Sequence, residues 1–269
     1  MSFLLCFSEL TILTIEMFCV IGYNNYEIIN FTKSKVKLMS MYHVTEQRKI
    51  KEGRGTGTGA NYKPWIYVRE LKSNGTSSEP IDWTNGRTCQ LLSQGEKYLW
   101  YYLRWNDSVK NIYEQYPMNL DATNSIALNS GIKPMFNGRR HMTSDFYVEY
   151  QDGHFEVFSI KDSRRVLEDE RTVELQFVEM QYWEQLGIPW HLTYKEDFNQ
   201  IYVQNIEIVT SFYDIHSVYD VLSCVKHLIA HKIIVVPMYD KLLDICDIYK
   251  NNKELIDEYY CHTCRGYIE

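Results

Sequence analysis

Residues 143–161 constrain the fold more than any other stretch of the chain. Two alternating segments, TSDFYVEY at 143–150 and FEVFSIK at 155–161, flank the four-residue link QDGH. An Asp-Gly pair between alternating strands is a strong hairpin signal, because the turn needs a positive φ that glycine adopts without strain. The spacing then predicts a helix over 169–186, with Val173, Phe177, Met180 and Trp183 at helical intervals and Gly187 as its stop. IPWHLTY at 188–194 reads as a further strand. Strand, strand, helix, strand is the core of a mixed α/β sheet, and 269 residues suffice for one large domain or two modest ones.

Upstream of the hairpin, Ser93 opens a helix reading SQGEKYLWYYLRW, and Ser93 with Glu96 has the S-x-x-E spacing of a capping box. Leu99 and Leu103 stack one turn apart on its buried face. VKNIYEQY at 109–116 is predicted to be a strand, and 122–137 reads as loop. PWIYVREL at 64–71 alternates like a strand, and SNGTSSE at 73–79 reads as a turn. Residues 45–59, TEQRKIKEGRGTGTG, are expected to form a flexible basic arm; the Gly run is not followed by the helix and lysine of a P-loop. After about residue 205, helices are expected over 215–231, 239–248 and 251–261, with RGYIE as a closing strand, which together suggest a small winged-helix module.

The first forty residues stand apart. Residues 3–22 form a long apolar run, but Glu9 and Glu16 would each cost on the order of 3 kcal/mol at mid-bilayer. The run also lacks the basic flank and cleavage site of a signal peptide. Residues 1–40 are therefore expected to be an atypical upstream extension outside the globular body, and the sequence leaves open whether that upstream start is the native one. The other reading is an amphipathic helix that docks on a partner. No membrane association is expected.

Twenty-eight Lys and Arg stand against 35 Asp and Glu, a formal charge of −7. That excludes a polycationic DNA coat and confines any nucleic-acid contact to local basic patches. One such patch spans 43–72, with seven Lys or Arg against three Glu. Residues 214–269 carry nine acids against six bases, which favours a protein partner over tight DNA reading. Seven scattered cysteines and no secretion signal point to free thiols in a reducing cytoplasm. Cys261 and Cys264 form a CHTC pair without a second pair to complete four zinc ligands.

Hydrolysis of a phosphodiester at neutral pH needs a metal-activated water and cover for phosphate charge. Asp145 on one hairpin strand and Lys161 on the next lie at the end opposite the turn, and Glu96 is available from the first turn of the preceding helix. Two acids and a lysine on one sheet edge suit Mg²⁺, which takes oxygen ligands and keeps several waters. The bland readings are a capping partner for Glu96, a strand-start acid for Asp145 and a solvated strand end for Lys161. Glu170, Glu174 and Glu179 are expected on a solvated helix face, and Arg139, Arg140, Arg164 and Arg165 flank the proposed site.

Several segments in order resemble one family over roughly residues 45–269: KEGRGTGTGANYKPW, LLSQGEKYLWYYLRW, NIYEQYP, IALNSGIKP, MTSDFYVEYQDG and LEDERTVELQFVEMQYWEQLGIPW. The chain is similar to TnsA-type transposon endonucleases. The resemblance implies a restriction-endonuclease-like nuclease domain over 41–200 and a winged-helix-like domain over 201–269. It implies nicking of the 5′ ends of a transposon, with Mg²⁺ as cofactor and a TnsB-like transposase and a TnsC-like ATPase regulator as partners. Glu96 and Asp145 match the family's metal-binding acids. The family's Gln-x-Lys element departs: this chain has Ser159-Ile160-Lys161-Asp162-Ser163. Without a gap, Lys161 falls at the Gln position and Ser163 at the Lys position; with a hairpin two residues shorter, Ser159 and Lys161 fill them. Either way Lys161 keeps the catalytic face, because strand side chains repeat every two residues. The departure leaves open a weak or inactive nuclease fold that bridges transposase and regulator. A stand-alone restriction-type nuclease is a third reading.

Overall fold

The computed structural model describes residues 44–71 and 76–264, so the apolar run at 3–22, part of the turn at 73–79 and the expected RGYIE strand lie outside the described residues. From Val44 onward the chain forms one compact unit. Its centre is a four-stranded sheet of order β1-β2-β3-β4: Val109–Pro117, Thr143–Tyr150, Phe155–Lys161 and Trp190–Tyr194. The first three strands run antiparallel and β4 lies parallel to β3. The hairpin forms as expected, with Phe146 opposite Phe158 and Glu149 opposite Phe155.

Both faces of the sheet are buried, which is why β3 carries almost no polar alternation. Phe146, Val148, Phe158 and Ile160 face one apolar cluster with Leu99, Trp100 and Leu103 of helix α2 (Gln94–Trp105). Val157 faces a second cluster with Val178 and Trp183 of helix α4 (Glu170–Gln185) and with Ile126 and Ala127 of helix α3 (Leu120–Asn129). Local capping starts each helix. Ser93 accepts from the N–H of Glu96, Asn119 from that of Ala122 and Asp169 from that of Thr172.

The helices α5 (Gln200–Thr210), α6 (Val221–Ala230), α7 (Ile245–Asn251) and α8 (Lys253–Tyr259) follow the sheet. Val203, Ile206, Leu228 and Ile256 join the same cluster as Leu99, and Lys97 pairs with Glu207 at 2.8 Å. Among the described residues, 201–264 contain no strand. The helix expected over 239–248 begins only at Ile245. Asn205, fully buried, binds the carbonyls of Met238 and Lys241 and the N–H of Leu243, and so holds 238–243 as a loop. No helix among the described residues is long and apolar enough to cross a membrane.

The structure corrects three local expectations. Residues 122–137 contain helix α3 rather than loop alone. Residues 64–71 form no strand; Val68–Glu70 is a 3-10 turn, and Trp65 is buried against the His141 ring and under the Lys49 ammonium. The basic arm is not a flexible one either. Helix α1 (Glu46–Lys51) leads into a loop closed by Gly55 N–H to Lys63 O at 2.6 Å and Lys63 N–H to Thr56 O at 3.0 Å. Two of its cations are buried and engaged internally: Lys49 pairs with Glu46 at 3.4 Å, and Arg54, 4% exposed, forks onto Glu70 at 2.8 and 2.6 Å.

Gly55 has φ +72°, and a Cβ there would meet Pro117 Cγ at 2.2 Å, at the end of β1. A side chain is excluded both by conformation and by space. Gly55→Ala is therefore expected to lower stability by about 2 kcal/mol, read as a lower midpoint in urea unfolding. An unchanged midpoint would show that this loop is as loose as its composition suggests.

Candidate active site

Asp145 is the third residue of β2 and Lys161 the last of β3. The β2–β3 ladder ends at Phe146 and Phe158, one step before Asp145. Beyond that point the Ile160 N–H donates to Asp145 Oδ2 at 2.7 Å, so the carboxylate fills the fork between the strands. The fork stays open enough to leave the Asp145 and Lys161 side chains 19% and 26% exposed, and Lys161 Nζ stands 4.0 Å from Asp145 Oδ2.

Glu96 comes from the first turn of α2, which packs on β1 and β3, and is 6% exposed. Ser93 Oγ caps the helix and also donates to Glu96 Oε1 at 3.1 Å. Glu96 Oε2 accepts from Leu92 N–H at 2.8 Å and from Gln115 Nε2 at 3.0 Å. The carboxylate thus reaches back past the cap residue to Leu92, and the capping reading and the site reading are both met by one side chain. Burial, together with the nearby charge of Asp145, pushes the Glu96 carboxyl up to about 8, against the pull of those three hydrogen bonds. Burial alone would lower the Lys161 ammonium, but Asp145, Glu179 and Glu96 outweigh it and hold it above the usual lysine value. Glu96, Asp145 and Lys161 therefore lie within one electrostatic neighbourhood.

Two further residues belong to this neighbourhood. Glu179 does not lie on a solvated face: it is 3% exposed and accepts from Ser159 Oγ. Burial raises its carboxyl, Lys161 pulls it down and Asp145 adds to the rise. A signal was present, since Glu179 sits three residues after Gln176 and four before Trp183, both buried on α4. Gln115 is 3% exposed with φ +50°, and nothing in its composition or spacing marks it. Ser159 shares the face of Lys161 but is buried at 1%, while Ser163 lies past the strand end as the cap of a 3-10 turn, Arg164–Glu168. Of the flanking arginines, Arg164 is engaged by Glu196 and Asp197 at 2.8–3.0 Å, Arg140 lies over the Phe136 ring, and Arg139 is exposed.

No group of three or more His, Cys, Asp and Glu arranged to hold a metal occurs among the described residues. The donor chemistry nonetheless fits Mg²⁺ in part. Glu96 and Asp145 offer hard oxygen atoms, the charge of Asp145 bears on the Glu96 carboxyl, and an ion that keeps several waters needs only one or two carboxylates.

A mixed four-stranded sheet flanked by helices, with an acid and a lysine at the fork of its central hairpin, is consistent with a restriction-endonuclease-like fold. Residues 106–195 match the family described as TnsA-like endonuclease N terminal. That stretch contains Gln115, Asp145, Lys161 and Glu179, and Glu96 lies just ahead of it. The chain is also 40% identical over 171 residues to the Transposon Tn7 transposition protein TnsA of Escherichia coli, across 62% of this chain and 63% of that protein. The resemblance to TnsA-type endonucleases read from the sequence is thereby shown, and the chain spans a little under two thirds of the length of that curated relative.

Proposed function

We propose that this chain is a DNA endonuclease that nicks the 5′ ends of a transposon, alongside a TnsB-like transposase and a TnsC-like ATPase regulator. The observation that carries the reading is the fork of β2 and β3, where Lys161 Nζ stands 4.0 Å from Asp145 Oδ2, with the buried Glu96 carboxyl feeling the charge of Asp145 and helping to keep Lys161 protonated. The relative's printed role in Tn7 transposition supports the same class of reaction.

Glu96 and Asp145 would hold Mg²⁺, which supplies an activated water and cover for the scissile phosphate. Asp145 is fixed for this by the Ile160 N–H, and Glu96 by Leu92, Ser93 and Gln115. Lys161, a cation beside Asp145, positions the attacking water and steadies charge on the phosphate, while the water's proton passes to solvent. Water adds at phosphorus and the 3′ oxygen leaves, giving a 5′ phosphate and a 3′ hydroxyl. Exposed Arg139 is a candidate for gripping neighbouring phosphates. In this reading 41–200 is the nuclease part and 201–269 a winged-helix-like module for protein contacts, with work in the cytoplasm.

The competing reading keeps the fold but not the cutting, because the family's Gln-x-Lys element is altered here, and Ser159, which takes the Gln position if the hairpin is two residues shorter, is tied to Glu179. Product analysis separates them. With transposase, regulator, a donor plasmid and Mg²⁺, the nuclease yields 5′ nicks and simple insertions, and chelation of Mg²⁺ stops the cutting. Cointegrates alone, with 5′ ends intact, would leave only the adaptor.

A further inference from the structure

Gln115 has an unusual combination of properties. It lies in β1 between Glu114 and Tyr116, is 3% exposed and adopts φ +50°, a left-handed conformation that costs a non-glycine residue of its size on the order of 1 kcal/mol. The β1–β2 pairing runs through Glu114 with Phe146 and resumes at Tyr116 with Ser144. The residue on either side is thus tied to the sheet, and the strain is confined to Gln115.

That strain is held in place from both sides. Glu114 is fully buried, and its carboxylate takes the Arg87 guanidinium and the Gln90 N–H. The Gln115 carbonyl accepts from the Trp65 N–H at 3.3 Å, and Tyr62 Oη donates to the Glu114 carbonyl at 3.0 Å. What the left-handed turn achieves is the aim of one amide. Gln115 Nε2 donates to Glu96 Oε2 at 3.0 Å, and Oε1 stands 3.4 Å from Thr143 Oγ1, two residues before Asp145. A single side chain therefore bridges the helix that carries one acid and the strand that carries the other.

We infer that Gln115 is a positioning residue that holds the Glu96 carboxylate in the orientation needed to share a divalent cation with Asp145. It touches neither substrate nor metal in this role and acts through Glu96. The inference rests on the nuclease reading for its consequence in cutting, but not for its consequence in metal affinity. A carboxylate that keeps only its Leu92 and Ser93 partners remains satisfied yet loses its tie to the strands.

The decisive variant is Gln115→Gly. Glycine adopts φ +50° without strain, so the backbone is kept or eased while the amide is lost. Gln115→Asn, which tolerates the same conformation but is one methylene shorter, is the companion. Mn²⁺ binding by titration calorimetry on the full chain is expected to weaken about tenfold in both variants, a size usual for groups that orient metal ligands. The melting temperature without metal should stay within a degree or two of wild type for Gln115→Gly. In nicking, the Mg²⁺ concentration for half-maximal rate should rise by a similar factor, with most of the rate recovered at high Mg²⁺. Unchanged Mn²⁺ affinity in Gln115→Gly would overturn the inference, as would a fall in melting temperature that accounts for the loss. Wild type that binds Mn²⁺ but cuts no DNA would sink the nuclease reading and leave this inference standing. Wild type that binds no Mn²⁺ would sink both.

Discussion

Asp145→Ala is expected to remove 5′ strand nicking by on the order of a thousandfold, and Lys161→Ala by about a hundredfold. The two differ because their proposed roles differ. Asp145 is the more exposed of the two acids that would hold the ion, and its loss removes both a ligand and the charge that retains Lys161 in place. Lys161 contributes one cation and one donor, which bound water and metal partly replace. Neither change should unfold the protein. Asp145 gives up its hydrogen bond to the Ile160 N–H, worth about 1 kcal/mol, at a fork that water reaches. Nicking of labelled transposon-end DNA with the transposase and regulator present measures the rate, and circular dichroism melts measure the fold. Full nicking by both variants would remove the active-site assignment.

Arg87→Ala is expected to have the largest effect on stability, a loss of about 3–5 kcal/mol. The guanidinium makes two hydrogen bonds to Glu114, one of them at 2.7 Å, and a third to the Ile112 carbonyl at 3.1 Å. The Glu114 side chain is 0% and that of Arg87 7% exposed, so truncating the arginine strands a carboxylate in the core of β1. Burial alone would lower the Arg87 pKa, but the Glu114 hydrogen bonds and charge outweigh it and raise it. The double variant Arg87→Met with Glu114→Leu should recover most of the loss, because removing both charges also removes their desolvation cost. Urea midpoints for the two single variants and the double form the cycle that decides it. If Arg87→Ala costs no more than a surface substitution, the pair does not carry the energy its burial implies. Because Glu114 adjoins Gln115, the single variants should also disturb Mn²⁺ binding, whereas the double should restore it in part.

Elements whose causes are local were legible in the chain. The Asp-Gly turn and its alternating flanks form the hairpin, Ser93 starts α2, and Asp169 starts α4 at the expected position. Where local cues were weak, the reading failed. Helix α3 buries only Thr123, Ile126 and Ala127 among mixed polar residues, so its periodicity barely rises above a loop. The α5 helix has no separate signal in a stretch where the composition merely changes. The Gly-rich segment at 53–59 looked mobile because glycine composition reports freedom in the unfolded chain. In the fold, Gly55 is the residue that fits under Pro117, and Arg48, Lys49 and Arg54 beside it are held in ion pairs.

The same division runs through the site. Glu96, Asp145 and Lys161 could be offered as candidates from residue type, the two-residue repeat of a strand and the first turn of a helix, but each had a bland reading as well, and the resemblance to TnsA-type endonucleases is what singled them out. The partners that tune them could not be named that way. Glu179 is drawn into the core by packing of α4 on the sheet, and Gln115 reaches Glu96 only through a left-handed turn held by a buried ion pair 27 residues apart in sequence. Backbone periodicity is a property of a few neighbouring residues and survives in the sequence. Burial, strain and the coupling of distant charges depend on which surfaces meet, and that is decided only when the chain closes on itself.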